Sequence, residues 1–326
     1  MRTLLIFGLL WATTADAGKK KKSKKKGAEP AQVGAPDAVA PPLGELITLP
    51  CGAEAGTTWT YESVRHRTNQ RDPSLAGMST ITPLTVTWAE LGPPDIVTWT
   101  HGKSEFRGLP EDTELDDEAR LATEIMAGIA MEVEIKDGFT VGVRNLTEIV
   151  GAMEPLFTIF EADNPEAAAK ARALFLDPNQ GPPLLLRDVR PFWAMVCAQM
   201  SVGQVVSGTT QFPNPFGGET IPGTETFELL SVDKTAGTAT YKTLTMTDPD
   251  GLIAAVEPIL RQMLPSGADE ATLAQALAQL PPIDTRAEGH FVMSVEDGMP
   301  ITVIVTQTIG SGQSVQRSDT WSWTRQ

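Results

Sequence analysis

The residue types that do chemistry are few in this chain and widely spaced. Its three histidines, His66, His101 and His290, have no His or Cys beside them at ligand spacing. Zinc is held by sets such as His-x-x-x-His or Cys-x-x-Cys, so neither a metal nor a cofactor is expected. His101 alternates with Trp99 and Val97 on one apolar face; it reads as a core histidine before it reads as a catalytic base. No G-x-S-x-G elbow, P-loop or G-x-G-x-x-G occurs. The glycines of Asn214-Pro215-Phe216-Gly217-Gly218 fall between strand-like segments and read as a loop. Nothing gathers a serine, a histidine and a carboxylate, so no catalytic residue is assigned and the chain is not expected to be an enzyme.

Three other groups could hold something. Glu111, Asp112, Glu114, Asp116, Asp117 and Glu118 carry enough charge for a divalent cation. They lack the ligand alternation and glycine of a calcium loop, and a solvated first helical turn accounts for them better. Asp248-Pro249-Asp250-Gly251 likewise reads as a turn and helix cap. Cys51 and Cys197 are the only cysteines, and joining them would close a loop of 147 residues counting both ends. In an oxidising compartment a disulfide is the default for an even count, with two buried free thiols as the alternative. Finally, Trp59, Trp88, Trp99, Trp321 and Trp323 all sit on strand-like segments, most of them flanked by Thr or Ser. On one shared face they would form a large aromatic surface, serving as core beneath helices or as the ligand-binding lining of a pocket for an apolar small molecule.

The elements that must position these residues are mostly strands. Thr57–Val64, Thr82–Trp88 and Asp95–His101 alternate apolar or aromatic residues with Thr, the pattern of half-buried strands. A helix is expected over Thr113–Ile129. Met131–Ile135 and Phe139–Val143 then flank Asp137-Gly138, the strongest short hairpin signal. Asn145 and Glu148 read as a capping box opening a helix to Phe160, Asn164-Pro165-Glu166 opens another, and a further helix is expected over Phe192–Met200. Strands follow at Gln204–Thr210, Thr226–Val232 and Thr238–Thr247, then helices at Asp250–Met263 and Asp269–Leu280. Phe291–Val295 and Met299–Val305 form a second hairpin about Asp297-Gly298, and Ser314–Arg325 is the final strand. MEVEIKDGFTVGV (131–143) and FVMSVEDGMPITV (291–303) align without a gap. The halves 46–200 and 201–326 therefore read as similar in plan, by duplication or by chance. The expected fold class is α+β: a large curved antiparallel sheet with helices packed on one face.

The ends of the chain bear on compartment. Residues 1–17 have the parts of a signal peptide: Arg2, the apolar stretch Leu4–Trp11, and Ala15-Asp16-Ala17. Cleavage between Ala17 and Gly18 would release a protein exported to the periplasm, the outer envelope surface or the medium. No cysteine near that site offers a lipid anchor. A Lys-rich tail over 18–26 follows directly, and such charge tends to stay cytoplasmic, which leaves an uncleaved, cytoplasm-facing tail as the alternative. Residues 27–45 are an Ala/Pro-rich linker, and 46–326 form a single β-rich domain. Beyond the tail the chain carries 18 basic against 40 acidic residues, a net −22. Such a body repels nucleic acid, and no specific nucleic-acid partner is expected. Lys19–Lys26 would instead attract an anionic envelope surface or partner.

The segments GTTWTYES, EVEIKDGFTVGVRNLTEIV, VGQVVSGTTQFPNPFGGE and GHFVMSVEDGMPITV are spread over most of the body from Gly56 onward. In this order of strand, Asp-Gly turn, strand and capped helix, the chain resembles exported bacterial β-rich proteins with a lipoprotein-carrier-like half-barrel. The resemblance implies a twisted sheet wrapped around helices, with an apolar cavity between them, and it carries no catalytic residues across. Two functions of different class are therefore expected: a non-catalytic exported envelope protein that binds or supports, or a carrier or sensor of a lipid-like apolar ligand. Terminal sequencing of the protein from an envelope or culture fraction is expected to read Gly18-Lys19-Lys20. An intact Met1 on a cytoplasmic protein would contradict export.

Overall fold

A computed structural model of the chain describes residues 44–69, 78–108, 121, 124–212, 220–263, 270–278, 283–311 and 314–326. The signal segment, the Lys-rich tail, nearly all of the linker, the acidic run 111–118 and the loop 213–219 lie outside the described residues. In chain order the first strands are β1 (Leu46–Thr48), β2 (Thr58–Asn69), β3 (Ser79–Glu90), β4 (Asp95–His101), β5 (Glu105–Arg107), β6 (Ala130–Lys136) and β7 (Phe139–Val143). Helices α1 (Leu146–Ala152), α2 (Glu154–Asp163), α3 (Pro165–Leu176), α4 (Gly181–Leu185) and α5 (Val189–Trp193) follow. The chain then forms β8 (Gln199–Ser201), β9 (Val205–Phe212), β10 (Ile221–Asp233) and β11 (Thr238–Thr247). Helices α6 (Pro249–Met263) and α7 (Glu270–Ala278) precede β12 (Ile283–Ser294), β13 (Pro300–Ser311) and β14 (Ser314–Arg325). The fold is α+β, as expected, and its body is one large curved antiparallel sheet.

The sheet runs β7-β6-β4-β3-β2-β14-β13-β12-β11-β10-β9, with β5 attached to β3, while β1 and β8 pair separately. Each half of the chain is thus a meander of sequential neighbours, and the halves meet where β2 pairs with β14. That seam is antiparallel, from Tyr61 opposite Arg325 to Asn69 opposite Arg317. Side chains alternate along a strand, so one face collects Trp59, Tyr61, Leu84, Val86, Trp88, Trp99, Tyr241, Phe291, Val303 and Trp323, all buried. The outer edge strand β9 buries none of its residues and leaves Val205 and Val206 exposed.

The two Asp-Gly hairpins share letters but not geometry. Asp137 and Gly138 both have positive φ, 52° and 80°, as a two-residue turn of the primed type requires. At the second site only Gly298 does, at 69°. There the chain makes a longer loop in which Ser294 N donates to Met299 O and Gly298 N to Ser294 O. The flanking strands also reach further than the apolar alternation suggests, because their outer ends are built from Thr, Gln and Arg.

Three helical expectations need correction. The helix expected from Asn145 to Phe160 is two, α1 and α2, broken at Met153. Pro155 cannot donate to the ladder and its ring crowds the carbonyl four residues back, so the chain restarts with Pro155 in the first turn of α2. Asn145 does not cap with its side chain; it accepts from Glu132 N at 2.9 Å and donates to Ala130 O at 2.8 Å, tying α1 to β6. The helix expected over Phe192–Met200 lies earlier, as α5, which ends at Trp193; turns follow, and Cys197 takes a left-handed φ of 65° shortly before β8 begins. The helix expected over Thr113–Ile129 lies mostly outside the described residues, and its end comes sooner, where Gly128 N donates to His101 O.

Candidate functional site

All five strand tryptophans fall on the inner face. Trp88, Trp99 and Trp323 are 1%, 2% and 1% exposed, and Trp59 and Trp321 are each 7% exposed. A short helix covers this face. Phe192 of α5 packs edge-on against Tyr61 and Trp99 with ring centroids 5.0 Å away in each case, and against Trp323 at 5.9 Å. Trp193 lies 5.9 Å from Trp88. One phenylalanine thus touches β2, β4 and β14 together, at the separations where edge-to-face pairs add to burial. The sequence reading placed Phe192 in a helix but missed this role. Its element is too short to show a helical period, and the only signal was two adjacent large aromatics, Phe192-Trp193, after a proline.

The end of the seam beside Trp59 is closed by an ionic knot. Asp297, in the loop between β12 and β13, accepts from Trp59 Nε1 at 3.1 Å and from Arg325 at 2.9 Å and 3.2 Å. Arg325 Nε and the Tyr61 hydroxyl both donate to Pro300 O, at 3.1 Å and 3.0 Å. Burial alone would raise the Asp297 pKa, but the hydrogen bonds from Arg325, the Met299 N–H and Trp59 outweigh it and hold the carboxyl below its ordinary range. Burial pushes the Tyr61 phenol up, so it stays a donor.

Beside Trp99 a cavity of about 50 Å³ is lined by Trp99, His101, Met131, Leu185, Asp188 and Val189, among others. Roughly 30 Å³ is one water's share of the liquid, and ligand pockets are commonly ~300–1,000 Å³. The space therefore suits a water rather than an acyl chain. His101 Nε2 accepts from Trp99 Nε1 at 2.9 Å, which puts any ring proton of a neutral His101 on Nδ1. Burial lowers its pKa, with Asp188 opposing. His66 contacts Ser79 at 3.2 Å, and His290 sits exposed on β12, so the three histidines are not brought together. Cys51 and Cys197, by contrast, are adjacent at about 2.5 Å. Gly138 packs so closely on Cys197 that a Cβ there would lie 2.8 Å from the cysteine Cβ.

Among the described residues no group of three or more His, Cys, Asp or Glu could hold a metal, and no helix is long and apolar enough to cross a membrane. Asp248 serves as the turn expected, accepting from Asp250 N and Gly251 N at the start of α6. The fold and this face define an α+β protein built on one curved antiparallel sheet with an aromatic inner surface stoppered by a helix. Comparison with models of protein families and with curated proteins gives no match for this chain.

The knot carries a pH signature. A carboxyl whose folded pKa lies below its unfolded value, 3.8 for Asp297, stabilises the fold above that value. The contribution is lost as the pH falls through the folded value. Asp297→Asn is expected to cost about 2 kcal/mol at neutral pH, with the gap to wild type shrinking at the acid end. Denaturant midpoints at neutral pH and at roughly pH 3 measure this, and a pH-independent gap would refute it.

Proposed function

We propose that the chain is a non-catalytic exported envelope protein whose folded body acts as a rigid binding or structural scaffold. The observation that supports this reading is the seat of Phe192 on Tyr61, Trp99 and Trp323, which fills the aromatic face from within. A carrier of lipid-like ligands needs an emptiable cavity of several hundred Å³, on the order of 300 Å³ or more, whereas the cavity that the described residues form beside Trp99 is about 50 Å³. Export rests on Arg2, Leu4–Trp11 and Ala15-Asp16-Ala17, and attachment to an anionic surface on Lys19–Lys26. Each lysine close to such a surface contributes ~1 kcal/mol, screened over roughly 8–10 Å in physiological salt.

Native tryptophan emission is expected to be blue-shifted and to ignore micromolar oleate, and an organic extract of the purified protein to be free of lipid. Phosphatidylglycerol vesicles should bind at low salt only while residues 19–26 are present. A saturable emission change that Trp99→Ala weakens more than it weakens the fold would replace this reading with the carrier.

In an oxidising compartment the adjacent Cys51 and Cys197 form a disulfide on this reading, tying the entry of the domain to the exit of the α5 segment. In the chain-entropy view, closing so long a loop contributes up to about 5 kcal/mol. A non-reducing peptide map is expected to join the peptides that hold these two residues, and ready alkylation of both thiols would sink the bond.

A further inference from the structure

A second concentration of chemistry lies on the same inner face, at the opposite end of the seam. Because side chains alternate along β2 and β14, the face that carries Trp59, Tyr61 and Trp323 goes on to carry Arg65, Arg67, Asp319 and Arg317. Asp319 is 3% exposed and is reached by three guanidinium groups. Arg67 Nε donates to Oδ1 at 2.7 Å, and Arg317 donates to Oδ2 from Nη2 at 2.6 Å and from Nε at 3.2 Å. Arg65 Nη2 stands 3.7 Å from Oδ2. Arg187, between α4 and α5, brings a fourth guanidinium to within 6.0 Å of the Trp321 ring and pairs with Asp188 at 3.8 Å. Four cations thus meet two carboxylates here, inside a body that is acidic overall.

The arginines are not equivalent. Arg67 and Arg317 direct their Nε donors at Asp319, whereas Arg65 Nε and Nη2 are buried with no hydrogen-bond partner among the described residues. Its flat face lies 4.9 Å from the Trp321 ring, and Asp319, 3.7 Å from Nη2, is an ion-pair partner beyond hydrogen-bond range. Nε–H and Nη2–H point the same way and make the two-pronged edge with which arginine grips an oxyanion. Leaving such a charged donor pair buried and unfilled is costly. Burial brings the Arg65 pKa down to about 10, with Asp188 opposing, so the group is still ionised at neutral pH. Nε and Nη2 of Arg65 are themselves buried, so an anion reaches them by displacing the surrounding guanidinium side chains; those of Arg65, Arg67 and Arg317 are 19%, 21% and 33% exposed.

We propose that Arg65, supported by Arg67, Arg317 and Arg187, forms a binding site for a compact oxyanion, a phosphate or carboxylate group, held on the Nε–Nη2 edge of Arg65. This site does not depend on the scaffold reading or on the Lys-rich tail.

The test is calorimetric titration of the purified full chain with inorganic phosphate and with acetate, at constant ionic strength against chloride. Saturable binding at one site is expected for at least one of them. Arg65→Lys keeps the charge but loses the two-pronged edge, and is expected to weaken that binding about tenfold or more with an unchanged circular dichroism spectrum. Arg317→Ala, on a more exposed side chain, is expected to weaken it too and serves if the first variant does not fold. Phosphatidic acid vesicles separate the sources, tested on the chain lacking residues 19–26. Vesicle binding that free phosphate competes away and Arg65→Lys abolishes assigns the site to a lipid headgroup, whereas anion binding without vesicle binding assigns it to a free solute. No saturable heat above chloride, or equal affinity in wild type and both variants, would overturn the site.

Discussion

The pairing of β2 with β14 is the constraint on which the rest of the structure depends. Every other neighbouring pair along the main sheet joins strands close in sequence, consecutive except for β4 and β6, between which the three-residue β5 turns aside to β3. This pair alone joins the two ends of the described body, and it sits in the middle of the sheet. Side chains alternate with a period of two, so a slip of one residue would turn Trp321 and Trp323 away from the core while Trp59 and Tyr61 stayed in it. Both ends of the seam are pinned against that slip: at one, Arg325 of β14 and Trp59 of β2 both donate to Asp297, and at the other Arg67 of β2 donates to Asp319 of β14. Shared register is what lets a single phenylalanine from a different element meet Tyr61 and Trp323 at once.

How far this could be read from the sequence depends on whether the signal was local. Thr238–Thr247, Asp95–His101 and Ser314–Arg325 were legible to the residue, because alternation and flanking turns both mark their ends. The five tryptophans were legible as one face for the same reason, since strand period fixes the side on which each falls. Pro155 carries the local signal for the break between α1 and α2, against the single helix that the capping pattern around Asn145 implies. Cys197 could not be foreseen, for a left-handed non-glycine residue leaves no mark in the sequence. Phe192 and the arginine cluster were hidden for a deeper reason. Arg65 and Asp319 stand some 250 positions apart, and only the seam, which no local pattern specifies, makes them neighbours.

The inner face of the seam is therefore two environments laid end to end on the same strands. Toward Trp59 it is aromatic, covered by α5 and sealed by Asp297; toward Asn69 it is a cluster of guanidinium groups over a buried carboxylate. Trp321 stands at the boundary, its indole within reach of Arg65 and Arg187. An arginine can lie flat on an aromatic ring while its edge stays free for hydrogen bonding, so the transition from oily to ionic is made without an intervening polar layer. The cost of burying charge there is offset by pairing, and it is lowest for the groups that keep partial contact with solvent.

The position of β14 has a consequence for how the molecule is made. It is synthesised after every other strand of the sheet, yet it belongs at the centre and not at an edge. Until its last residues are free, the two meanders exist as separate sheets, each with an open inner border and half of an aromatic surface uncovered. Contacts between such distant parts of a chain form slowly, and exposed strand borders are where partly folded chains stick to one another. Losing a dozen residues from an edge strand would trim this protein; losing the same number from β14 would cut it in two.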